Sequence, residues 1–217
     1  MKILSHISKD KVYTSWLQSE LYRKEKDLTK EEIVIIKNPN FANEGEASKR
    51  EKLLLDKYGR SAILARLPAE LEWHESEFEP QDVDKLYILP VFDWYMDTGE
   101  TFKVSDTLIH LSDTRGYHLP QLGSAEVLHF QTVNKIIESP PEDFGEVILI
   151  ASSQDGPYTV IDGTHRSVAL LKMGKLIGSD CFVGVGNLSQ CIWSIERLDL
   201  SHHLDELDQL KSLGNLW

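Results

Sequence analysis

Tyr158-Thr159-Val160-Ile161-Asp162-Gly163-Thr164-His165-Arg166, followed by Ser167-Val168-Ala169-Leu170-Leu171-Lys172-Met173-Gly174, decides the reading of this chain. The first four residues suit a buried strand. Gly163 allows a tight turn, because glycine accepts backbone conformations closed to other residues. Thr164 to Met173 reads as a helix, with Val168, Ala169, Leu170 and Leu171 as its packing face and Gly174 as its stop. Asp162 or Thr164 can cap that helix. Its first amides lack partners within the helix, and with the helix dipole they make an anion site. His165 and Arg166 stand in the same first turn. Cationic side chains are unfavourable there by the dipole rule, so a bound anion, such as a phosphate, would account for both. Arg166 can grip an oxyanion with two parallel hydrogen bonds. His165 can donate to the anion or move a proton near neutral pH.

Working outward, Glu146 to Ile150 reads as a strand, and Gln154-Asp155-Gly156-Pro157 as the turn of a hairpin. Ala125 to Glu138 has helical periodicity, with Pro140-Pro141 beyond it. Ser179 to Val185 reads as a strand. Thr107 to Leu111 is also expected as a strand, and Ser201 to Leu213 as a short amphipathic helix. In the first hundred residues, helices are expected over 14 to 28 and over Glu46 to Tyr58. Strands are expected at Ile33-Val34-Ile35-Ile36, at Ala62 to Leu67, and within Leu86 to Phe92. Glu70 to Asp84 is strongly acidic and is expected to be exposed. The fold class is therefore α/β, a mixed sheet with packed helices. Asp97-Thr98-Gly99 offers a boundary between an extension over 1–100 and a domain over 101–217.

The chain has 217 residues, 41% apolar and 27% charged, the balance of a globular protein. Its net charge of −12 opposes sequence-independent binding to nucleic acid, which depends on lysine and arginine neutralising phosphates. No apolar run approaches the roughly 20 residues that cross a bilayer. The polar start, Met1-Lys2-Ile3-Leu4-Ser5-His6, lacks the apolar centre of a secretory signal. A cytoplasmic location is expected, with no membrane partner. Cys181 and Cys191 fit no zinc spacing and read as buried reduced thiols. His202-His203 forms no ligand set, and His110, His118 and His129 are isolated in sequence. The five tryptophans form no base-stacking pattern and read as core or interface residues.

Asp162-Gly163-Thr164-His165-Arg166, followed by Ala169-Leu170, resembles the Asp-Gly-x-His-Arg signature of the ParB/sulfiredoxin-like superfamily. The resemblance covers roughly residues 105 to 187. It implies a ParB/sulfiredoxin-like core in which the motif opens a helix and binds nucleotide phosphates. Thr164 stands where sulfiredoxins carry their reactive cysteine, so sulfiredoxin activity is not expected. About 30 residues follow Gly186. They are too few and too acidic for the DNA module of chromosome-partitioning relatives.

The resemblance implies an enzyme, a phosphotransferase such as a small-molecule kinase, or a nucleotide phosphohydrolase. Its ligand would be a nucleotide or another phosphorylated small molecule. The cofactor would be Mg²⁺ with a nucleoside triphosphate or diphosphate. The site residues would be Asp162, Gly163, Thr164, His165 and Arg166, with His165 and Arg166 acting on the phosphate. Asp113 is the nearest candidate for a base, and an ordinary turn aspartate is the alternative. Arg115 could touch a phosphate or be a solvated loop residue. Asp162 could approach Mg²⁺ through water or simply cap the helix. A non-catalytic nucleotide switch and a ParB-like nuclease are the other two functions to weigh. Arg166→Ala is expected to abolish ligand binding while sparing the fold, as surface changes do.

Overall fold

The computed structural model describes residues 1–91, 94, 97–99, 101–112, 124–141 and 145–197. Asp113, Arg115, His118, His202-His203 and the helix expected over Ser201 to Leu213 lie outside them.

The chain is a mixed α/β protein built on a six-stranded sheet, in the order β1-β2-β6-β4-β5-β3. Its strands are β1 (Lys2–His6), β2 (Glu72–Glu77), β3 (Leu86–Ile88), β4 (Val147–Ala151), β5 (Tyr158–Asp162) and β6 (Asp180–Val185). The β1–β2, β2–β6 and β4–β5 pairs are antiparallel; β4–β6 and β3–β5 are parallel. The sheet thus draws strands from both sides of residue 100. Every residue of β4 is fully buried. Successive strand side chains face opposite sides. Both faces of the sheet are therefore covered at its centre, which explains the unbroken apolar run from Val147 to Ala151.

Among the described residues the helices include α1 (Lys9–Lys24), α2 (Lys30–Lys37), α3 (Glu44–Asp56), α4 (Ser61–Leu64), α5 (Val104–Ser112), α6 (Ser124–Glu138) and α7 (Thr164–Lys172). The first three pack together, and α7 packs against α5 and α6. Arg50 of α3 is fully buried. It ties α3 to α1 through Asp10, at 2.8 Å from Nε to Oδ1, and to Glu46 on its own helix. Among the described residues no helix is long and apolar enough to cross a membrane.

Two expected strands lie in helices, and a third holds a single helical turn. Ile33 to Ile36 lies in α2, because Thr29 and Glu32 form a reciprocal capping box that starts a helix. Ile35 and Ile36 then face the core while Val34 is exposed. Thr107 to Leu111 lies in α5. Val104 and Thr107 are buried and Ile109 is exposed, which is helical spacing rather than alternation. Ala62 to Leu67 contains the single turn α4, closed by bonds from Leu64 and Ala65 amides to Arg60 and Ser61 carbonyls, each 2.9 Å.

The acidic stretch expected to be exposed instead supplies β2, seated between β1 and β6. Trp73, Phe78 and Asp82 are buried, and Asp82 accepts from the Met1 amino group at 2.9 Å. The Glu75 carboxylate, beside Lys11 and Ser5, is held below its usual range, chiefly by the Lys11 hydrogen bond.

Cys181 and Cys191 are free and buried, and burial raises both thiols above their ordinary range. Trp16, Trp73, Trp94 and Trp193 are core residues.

Trp73 pairs in register with Gly184 of β6, and its ring lies on that glycine. A Cβ at residue 184 would stand 2.9 Å from ring carbons of Trp73. The ring is buried and has little room to retreat. Gly184→Ala is expected to cost about 1–3 kcal/mol, the range for overpacking. In urea unfolding the midpoint should fall with an unchanged slope. An unmoved midpoint would mean that Trp73 does not bear on the glycine.

Candidate functional site

The strand-to-helix turn is built as the sequence suggests. β5 ends at Asp162, Gly163 takes φ 87° and ψ 23°, and α7 begins at Thr164. That backbone is left-handed, which L side chains avoid. The N-cap position falls on Gly163 rather than on Asp162 or Thr164, and it carries no side-chain cap hydrogen bond. The amide of Ser167 closes the first turn on the Gly163 carbonyl at 2.8 Å. Thr164, His165 and Arg166 occupy that turn, on a helix whose middle, Ser167 to Leu170, is buried, and which packs on α5, α6 and β4.

Arg166 turns back on the strand. Its Nη2 donates to Asp162 Oδ2 at 2.6 Å, and the two side chains are 14% and 10% exposed. Both numbers matter, because a pair this enclosed is not a surface salt bridge. The guanidinium passes over Gly163 and under Gly145. A Cβ at Gly163 would meet Nη2 at 2.9 Å, and one at Gly145 would meet Nη1 at 2.8 Å. Ser19 of α1 approaches Asp162 Oδ2 at 3.5 Å. Ser15, one turn earlier, donates to Glu146 beside β4. Glu20 of α1 pairs with Arg60 nearby.

Burial pushes the Asp162 carboxyl above its ordinary range. Arg166 opposes that shift, Glu20 adds to it, and Arg60 opposes it. Asp162 is thus the counter-ion of Arg166. It is poorly placed to serve a magnesium ion, which keeps its waters and needs room for them. Among the described residues no cluster of three or more histidine, cysteine, aspartate or glutamate side chains could hold a metal.

His165 faces the other way, into an aromatic group. Its ring centroid lies 5.1 Å from that of Trp94 and 5.1 Å from that of His129. Trp94 and His129 stack at 4.0 Å, nearly parallel at 7°. His129 Nδ1 lies 3.0 Å from Asp97 Oδ2, with both residues buried. The structure therefore brings His129 and Asp97 to the motif, although in sequence the histidine is isolated and the aspartate reads only as part of a candidate domain boundary. They are 32 residues apart and share no motif. One signal was available: His129 stands four residues before Val133, on the buried face of α6. A histidine on such a face asks for a partner. The turn thus carries a guanidinium–carboxylate pair on one side and an imidazole cluster on the other. One side can set charge and the other can move a proton.

A cavity of about 340 Å³ lies elsewhere, between α2 and α3, lined by Thr29, Glu32, Ile35, Lys49 and Lys57 among others. Glu31–Lys49 and Glu32–Lys57 ion pairs bridge the two helices there.

Compared with known family models, with curated proteins and with solved structures, the chain matches none.

Proposed function

We propose that the turn at Gly163 holds a phosphate of a nucleotide or other phosphorylated small molecule, and that the protein transfers or hydrolyses a phosphoryl group. The observation that carries this reading is the start of α7. A left-handed glycine opens a helix with no side-chain cap, and Thr164, His165 and Arg166 fill its first turn. Amides at such a terminus, together with the helix dipole, favour an oxyanion. Phosphoryl transfer asks the protein mainly for positioning and charge stabilisation, which amides and a fixed guanidinium supply.

The element order supports a ParB/sulfiredoxin-like core: α6, the β4–β5 hairpin, α7, then β6 beside β4. Residues 1–100 would then be an extension to that core. The strand that the resemblance implies at 107–111 is α5 instead, so the likeness is carried by the elements from α6 onward. Any magnesium would arrive on the nucleotide phosphates. The closed Arg166–Asp162 pair gives a reason to keep a non-catalytic switch as the second reading, since a ligand that recruits Arg166 must share it with Asp162.

Thermal unfolding should be measured with inorganic phosphate and with each ribonucleoside di- and triphosphate, with and without Mg²⁺. Phosphate release should be followed in parallel. One nucleotide is expected to raise the melting temperature, as about 2.7 kcal/mol of linkage at a hundredfold excess over Kd requires. Release of phosphate supports the enzyme, and stabilisation without release supports the switch. No stabilisation by any of these ligands sinks both.

A further inference from the structure

We infer that His129 is the proton acceptor of this site and that Asp97 orients it, an inference that rests on the phosphoryl-transfer reading above. The geometry is that of an oriented base. The Asp97 carboxylate lies 3.0 Å from His129 Nδ1, so the neutral ring carries its proton on Nδ1 and keeps its basic lone pair on Nε2. The near-parallel stack on Trp94 at 4.0 Å fixes the plane of the ring. A buried carboxylate is costly unless it is paired, and packing alone would be served by an apolar side chain. Here the pair sits beside the helix N-terminus that binds the anion. His165, from the first turn of α7, touches both His129 and Trp94. The ring of His129 is therefore one side chain away from the phosphate-binding turn.

In the step this arrangement permits, Nε2 of His129 takes the proton of an acceptor hydroxyl, from water or an alcohol. The hydroxyl oxygen forms a bond to the terminal phosphorus of a nucleoside triphosphate. The bond from that phosphorus to the bridging oxygen breaks, and its electron pair leaves on the diphosphate. The imidazolium, balanced by Asp97, then releases its proton to solvent. His129 is the catalytic residue in this scheme, and Asp97 is a positioning residue.

The experiment compares the full chain with His129→Gln and Asp97→Asn. The probes are the four ribonucleoside triphosphates, each with Mg²⁺. Equilibrium binding and single-turnover phosphate release are measured on samples whose near-ultraviolet circular dichroism shows the native fold. Long-range proton–nitrogen spectra of the wild type and of Asp97→Asn report which nitrogen of His129 carries the proton. His129→Gln is expected to keep its nucleotide affinity and to lose about 10²–10⁴-fold in release rate, the usual contribution of acid–base catalysis. Asp97→Asn should lower the single-turnover release rate with nucleotide affinity little changed, and the Nδ1–H signature of His129 should disappear.

Should His129→Gln fail to fold, the wild-type spectrum and Asp97→Asn still decide. Wild-type release rates in either variant overturn the inference. So does a wild-type spectrum with the proton on Nε2. A wild-type protein that binds none of the four nucleotides overturns the phosphoryl-transfer reading itself and takes the step with it. Nucleotide release that ignores residue 129 removes only the role given to His129.

Discussion

Arg166→Ala is expected to destabilise the protein by about 3–5 kcal/mol, the cost of leaving one member of a buried ion pair without its partner. For a chain of this size that lowers the melting temperature by roughly 10 °C. Sequence reading treats Arg166 as a surface clamp whose loss spares the fold. The structure overturns that expectation, because Arg166 is enclosed and bonded to Asp162 at 2.6 Å. Its removal leaves a carboxylate that burial already holds above its ordinary range, with Glu20 nearby. The Asp162 carboxyl should then rise further.

A carboxyl raised on folding binds its proton more tightly in the folded state. Its contribution to stability is complete below the unfolded value of about 3.9 and is lost as pH climbs through the folded value. The gap between wild type and Arg166→Ala should therefore be narrow near pH 4 and wide near pH 7. Urea unfolding at both pH values tests this. Equal stability of the two proteins at pH 7 would show that the pair does not hold the turn. Replacing both members, as Asp162→Asn with Arg166→Met, should recover much of the loss, since removing a whole buried pair is often close to neutral. Nucleotide affinity of the single variant must be measured well below its melting temperature, so that loss of binding is not mistaken for loss of fold.

Gly163→Ala is expected to cost about 2–4 kcal/mol from two independent sources. A left-handed residue with a Cβ costs roughly 1–2 kcal/mol. The new methyl would also stand 2.9 Å from Arg166 Nη2, 3.1 Å from Nε and 3.2 Å from Cζ. That guanidinium cannot swing aside freely, because Asp162 holds one end and Gly145 lies against the other. In an Arg166→Met background the second cost should vanish and only the backbone cost remain. The difference between the two backgrounds measures the contact directly. An unfolding midpoint unchanged by Gly163→Ala alone would refute both terms.

These two variants also show what the sequence made legible. Val160 to Gly174 announces its strand, its turn and its helix, because local rules act on neighbouring residues. The run from Val147 to Ala151 is equally plain. The partner of Arg166 is Asp162, four residues away and within the same motif, yet the burial that makes the pair structural depends on α1 and on Gly145. Propensity misled at Ile33 to Ile36 and at Thr107 to Leu111. Branched residues favour strands, and the helical contacts that override them come from tertiary packing. The Thr29–Glu32 box was readable and outweighs the apolar run that follows it. β2 was hidden by its own acids, since Glu72, Glu75 and Glu77 mask a strand whose buried members are Trp73 and Ser76. Asp97 and His129 could not be joined by spacing at all, because only the packing of distant segments brings them together.

The strand order constrains how the polypeptide matures as it emerges from a ribosome. β6, the last strand in chain order among the described residues, lies between β2 and β4 and hydrogen-bonds to both. Until residues 180 to 185 have been synthesised, two ladders stand open in the middle of the assembly rather than at its rim. The nascent chain must wait with those edges exposed. Its yield in a cell then depends on how well that interval is shielded from other unfinished chains.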